Sequence, residues 1–241
     1  MRDSAVRGRL LPFYFGKVYQ RRLRPTPLEY ADIRNVCLDI LHDFPSSIST
    51  FFAIGRSPTA LAAFFSQCPE VRLVSIPGSL GLRKDRVDAA LQSRLATALQ
   101  QVEADQKNVV LLDYCLSGAT LTNFVGHAQE LLTRLDLPFK LSSVALAHDP
   151  LQAHCLQPLL AAGLVKIYPL ETYPTLRKFL FQEDYDRLAE YQPSKDRGFE
   201  RNSLVYEAYC RNMAECMAYD SVMALFKSSS VTSARPLWMR K

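Results

Sequence analysis

The residues of this chain best suited to chemistry lie at the ends of two apolar runs. In residues 108–121, NVVLLDYCLSGATL, four aliphatics (Val109 to Leu112) lead into Asp113, and Ser117-Gly118-Ala119-Thr120 follows four positions later. A continuous aliphatic run of that kind predicts a strand buried on both faces. Asp113 would stand at its tip, and the small residues would form a loop that opens a helix. Such a loop can cradle a phosphate. Small side chains let the backbone approach an oxyanion, the helix N-terminus offers unpaired N–H groups and the positive end of its dipole, and Ser117 and Thr120 add hydroxyl donors. Asp113 could accept hydrogen bonds from sugar hydroxyls or face a metal ion through water.

The second run is Phe51-Phe52-Ala53-Ile54, followed by Gly55-Arg56-Ser57-Pro58-Thr59. Gly55 ends the predicted strand. Arg56 suits a diphosphate because its planar guanidinium can make paired hydrogen bonds, and Ser57 adds a donor beside it. A third segment, residues 77–86, follows the next predicted strand and carries Arg83, Lys84 and Arg86.

Together these residues resemble the PRPP-binding motif and pyrophosphate loop of type I phosphoribosyltransferases, over roughly residues 30–170. The resemblance implies that Ser117, Gly118, Ala119 and Thr120 bind the 5′-phosphate and that Asp113 meets the ribose hydroxyls. It implies that Gly55, Arg56 and Ser57 hold pyrophosphate, and that Arg83, Lys84 and Arg86 belong to a mobile catalytic loop. It brings Mg²⁺ with PRPP, through Asp113, and transfer of phosphoribosyl to a nitrogen acceptor with release of pyrophosphate. Two positions depart from the pattern: Leu112 stands where the family has its first acid, and Leu116 where purine-salvage members carry another. Losing one of two carboxylates leaves a ribose hydroxyl or a Mg²⁺-bound water without its partner. The rival expectation is therefore a non-catalytic relative that binds a nucleotide or a protein.

Other chemistries fit less well. Residues 55–59 are similar to a nucleophile elbow, with Asp149 and His154 following in hydrolase order. Pro58 argues against it, since the oxyanion hole of that design uses the N–H of the residue after the nucleophile. There is no GxxxxGK[ST] and no GxGxxG. His148, Asp149, His154 and Cys155 read as structural residues at a strand-to-helix junction rather than as metal ligands.

The elements that must position these residues alternate. Thr26-Pro27-Leu28-Glu29 is a capping box with proline at the first helical position, opening a helix to about residue 42. Strands are predicted at 49–54, 71–76, 108–113, 141–147 and 164–168, with helices at 58–66, 84–105, 119–135 and 150–162 between them. This pattern predicts an α/β fold, a parallel sheet with helices on both faces. Helices at 174–191 and 202–226, separated by residues 193–198, would form a C-terminal extension. The chain thus divides into a basic arm (1–25), an α/β core (26–171), a helical extension or cap (172–227) and a basic tail (228–241).

Charge follows the same division. The formal net charge is +5, but residues 1–24 carry seven basic groups against one acid and residues 228–241 carry three against none. Residues 25–227 are therefore at −4, which disfavours a uniformly basic nucleic-acid-binding domain. The basic ends would suit an acidic partner. No apolar run approaches the roughly 20 residues of a membrane span. The six cysteines form no CxxC pair, and several sit in apolar runs, which predicts reduced thiols and a cytoplasmic protein.

Overall fold

The computed structural model describes residues 24–55, 58–76, 89–147, 153–180, 191–194, 198–201 and 203–232. The first helix, α1 (Pro27–Asp43), is opened by the capping box read from the sequence. The Thr26 amide donates to Glu29 Oε2 at 2.8 Å, and the Glu29 amide donates to Thr26 Oγ1 at 3.3 Å. Ile33, Val36, Cys37 and Ile40 give α1 its buried stripe, at the three-to-four-residue spacing of a helix lying on a core.

Five strands follow: β1 (Ser49–Ile54), β2 (Arg72–Ile76), β3 (Asn108–Cys115), β4 (Lys140–Ala147) and β5 (Val165–Pro169). They form one sheet in the order β2-β1-β3-β4-β5, with every pairing parallel. Their alternate residues feed two core layers. Phe51, Val110, Leu112, Tyr114, Val144 and Leu146 pack with α1 and with α2 (Thr59–Phe65). Phe52, Ile54, Val109, Leu111, Cys115 and Ala145 pack with α3 (Ala89–Gln100) and α4 (Ala119–Arg134). A 3-10 turn (His154–Leu156) and α5 (Gln157–Ala161) complete the second layer. The expected α/β architecture, a parallel sheet with helices on both faces, is what the chain forms.

Several boundaries differ from the sequence reading. Strand β3 does not stop at Asp113. Its pairing with β1 ends at Leu112, but β4 continues through Tyr114 and Cys115. Helix α3 ends at Gln100 rather than near residue 105. Glu103 and Asp105 beyond it turn back to pair with Arg72 at 2.9 and 2.8 Å, and the Lys107 and Asn108 amides reach Ile48 O at the base of β1. The start expected at residue 84 lies outside the described residues. Of the helix expected over 174–191, Pro174–Leu180 form a 3-10 segment, 181–190 lie outside the described residues, and Tyr191 opens an antiparallel hairpin, β6 (Tyr191–Ser194) with β7 (Gly198–Arg201). Pro193, read as a separator, sits in a two-stranded ribbon, where a strand edge tolerates its missing N–H.

The last helix, α6 (Ser203–Thr232), runs beyond residue 226. Tyr206, Tyr209 and Met213 are buried in the same core layer as α1 and α2. The reason lies in α2, whose seven residues, TALAAFF, are all buried. A helix apolar all round must be covered on every side; α6 covers the flank that the sheet and α1 leave. Two ion pairs on this seam, Arg34–Asp220 at 3.0 Å and Arg24–Glu215 at 3.8 Å, are solvent-exposed and add little.

A polar seam joins α1 to the end of the sheet. Asp43 accepts from Tyr168 Oη and pairs with Lys166; Asp39 accepts from Tyr173 Oη; Asp32 accepts from the Thr175 amide and hydroxyl at 2.9 and 2.7 Å. Burial alone would raise the Asp43 pKa, but hydrogen bonds from Lys166 and Tyr168, with the Lys166 charge, hold it below the ordinary 3.8. A depressed folded pKa means that the unfolded chain takes up the proton first as pH falls. The stabilisation is whole above the ordinary value and is lost as pH drops through the folded one. Asp43→Asn is expected to cost about 1 kcal/mol at pH 7. Urea midpoints should show that gap to wild type narrowing towards pH 3. A constant gap would remove the carboxylate from the stability of this seam.

Among the described residues no helix is long and apolar enough to cross a membrane.

Candidate functional site

The strand order positions the site. From β1 the chain steps outward to β2, returns past β1 to β3, and continues outward to β4 and β5. The direction of winding therefore reverses between β1 and β3. The connection leaving β1 runs into α2 on one face and the connection leaving β3 into α4 on the other. In open α/β sheets such a reversal marks the crevice, at the carboxyl ends of the two strands, where ligands bind. Gly55 and the Ser117–Thr120 segment follow these two adjacent strands at that end.

On the β1 side, Gly55 takes a left-handed conformation (φ 66°) that a side chain would strain, and its amide donates to Ile76 O at 2.8 Å, joining the exits of β1 and β2. Arg56 and Ser57 lie outside the described residues, as do Arg83, Lys84 and Arg86.

On the β3 side, Leu116 follows the strand with about half of its surface exposed (52%). Gly118 is left-handed (φ 81°) and is the N-cap residue of α4, without a side-chain cap. An added Cβ there would lie 2.4 Å from Leu156 Cγ. Only glycine satisfies both the backbone angle and the space. Ser117 Oγ accepts a long bond from the Ala119 amide at 3.4 Å, and its own proton remains to be donated. Ser117, Ala119 and Thr120 are half-buried. First-turn amides such as that of Thr120 have no intrahelical acceptor by the geometry of the α-helix. The segment can therefore present amides and two hydroxyls to an oxyanion.

Asp113 stands elsewhere than the sequence implied. It is held within β3 opposite Ala145, on the face of Val109, Leu111 and Cys115, and is 3% exposed. Leu112 is fully buried on the opposite face. Burial and then the Asp113 charge push the Cys115 thiol well above its ordinary pKa, which favours the protonated thiol. His154 is exposed and Cys155 half-buried in the 3-10 turn after β4; His148 and Asp149 lie outside the described residues.

Sequence reasoning missed the partners that hold the loop. The Cys155 amide donates to Ser117 O at 3.1 Å, and Thr122 Oγ1 shares its proton between Gly118 O at 3.0 Å and Cys155 O at 2.8 Å. A threonine four residues after the glycine is a recognisable signal for the first of those two acceptors. Nothing in the linear order announces the second.

Comparison of the chain with protein-family models, curated proteins and solved structures finds no match.

Proposed function

We propose that this chain is a phosphoribosyltransferase-like protein that binds PRPP or a related ribose phosphate in the β1/β3 crevice. One observation carries the reading: the winding reversal brings the Gly55 turn and the Ser117–Thr120 segment to the carboxyl ends of adjacent strands. The first suits the pyrophosphate end of such a ligand and the second its 5′-phosphate. The first turn of α4, with the Ser117 and Thr120 hydroxyls, would hold the phosphate by charge-assisted hydrogen bonds. In the catalytic form of the proposal, pyrophosphate leaves C1′ and a nitrogen nucleophile attacks, with the protein acting mainly by fixing the phosphates.

A binding role without transfer is favoured by the acid positions. Leu112 is buried and apolar, and Asp113 is turned into the α3/α4 layer, so neither offers the crevice an exposed carboxylate. Mg²⁺ does not fit a two-carboxylate site here; it would arrive as the companion of the ligand's own diphosphate. In this proposal the basic segments 1–24 and 228–241 are contacts for an acidic partner.

Titration calorimetry with PRPP, ribose 5-phosphate and nucleoside monophosphates, each with and without Mg²⁺, tests the reading. Saturable heat with at least one of them is expected. Heat with none overturns the ribose-phosphate site. Pyrophosphate release from PRPP across a panel of bases would establish transfer, and binding without release would leave the non-catalytic role.

A further inference from the structure

The geometry points to Thr122 as a positioning residue that makes the Ser117–Gly118 loop and the His154–Leu156 turn one mechanical unit. Three contacts converge on two loop residues. The Cys155 amide holds Ser117 O at 3.1 Å. Thr122 Oγ1 spans Gly118 O and Cys155 O at 3.0 and 2.8 Å. Leu156, fully buried, lies where a Gly118 side chain would be. A hydroxyl has one proton, so Thr122 shares it between a carbonyl at the cap of its own helix and one that follows the next strand. The shorter bond is the one between segments. Gly118 has no side-chain cap; its carbonyl accepts from the Thr122 amide and hydroxyl of its own helix, both at 3.0 Å, while the turn holds the Ser117 carbonyl and, through the Thr122 hydroxyl, is tied to that of Gly118. A loop that must offer amides to an oxyanion gains from being held before the ligand arrives, because ordering it then costs binding energy.

The ligand arm of this inference rests on the ribose-phosphate reading; the coupling itself does not. Thr122→Val keeps the branched shape and removes the proton, while Thr122→Ser keeps the hydroxyl. Hydrogen exchange of the ligand-free protein is read at the Cys155 amide and, for comparison, at amides in the buried half of α4 near Leu131. The valine variant is expected to speed exchange at Cys155 about tenfold, the equivalent of one ordinary hydrogen bond. The amides near Leu131 should stay unchanged, and serine should restore the wild-type rate. Ribose 5-phosphate affinity is expected to fall about tenfold in Thr122→Val and to recover in Thr122→Ser. Wild-type exchange at Cys155 in the valine variant, or acceleration spread equally through α4, overturns the coupling. A wild-type protein that does not bind ribose 5-phosphate, with exchange still accelerated in the variant, supports the coupling and overturns the ligand reading instead.

Discussion

Replacing Met213 with aspartate is expected to abolish the folded state. Met213 is fully buried against the layer that contains α1 and α2, ten residues into α6. Truncating such a side chain to alanine costs about 2–5 kcal/mol. A carboxylate there also faces the penalty of an unpaired buried charge, several kcal/mol more. Total stabilities of about 5–15 kcal/mol leave little margin for that sum. The effect should be large because the neighbour at risk is α2, which has no polar face to turn towards water. Tyr219→Asp, on an exposed position of the same helix, is the matched control and should melt like wild type. Circular dichroism with urea titration reads both. A Met213→Asp protein with a wild-type cooperative transition would mean that α6 is dispensable to the core.

Gly118→Ala is expected to damage stability and the candidate site together. A left-handed alanine costs about 1–2 kcal/mol, and its Cβ would meet Leu156 Cγ at 2.4 Å and Cδ2 at 2.6 Å. Overpacking of this kind adds about 1–3 kcal/mol. Leu156 is buried and cannot swing aside, so the loop itself must move. In the proposed ribose-phosphate site, affinity is then expected to fall by about a hundredfold, since each tenfold corresponds to about 1.4 kcal/mol. Adding Leu156→Ala should relieve the clash but not the backbone strain, and so restore stability only in part. Gly126→Ala is the internal control: it lies within α4 with nothing within 4 Å of the added carbon, and alanine favours the helix. A Gly118→Ala protein as stable as wild type would show that the loop is not held by Leu156.

What the sequence disclosed follows from where the determining forces act. The capping box at Thr26 and the aliphatic run at Val109–Leu112 are local signals, and both elements begin where expected. The pairing of β1 with β3 has no local signature, yet it brings Gly55 and the Ser117 loop to the ends of adjacent strands. Asp113 lies inside the strand because strand length is set by the partner: β4 pairs with three β3 residues, Asp113 to Cys115, after β1 has ended. Likewise, Glu103 and Asp105 look helical in isolation but are taken by Arg72. The TALAAFF segment, apolar but for Thr59, did carry a signal for α6, namely that an outer helix must cover it, although not which one. The Thr122–Cys155 bridge spans 33 residues and has no linear signature.

The burial of α2 also sets an order of events during synthesis. Its residues, 59–65, leave the ribosome long before residues 206–217 exist, and the contact from Ser66 Oγ to Cys210 Sγ joins positions 144 apart. Until α6 is made, the nascent chain carries a greasy, unroofed helix. Such transient exposure is what invites aggregation and chaperone capture, and long-range closure of this kind slows folding. The protein should therefore complete its core late, and the yield of native molecules should be sensitive to translation pauses that delay the last helix.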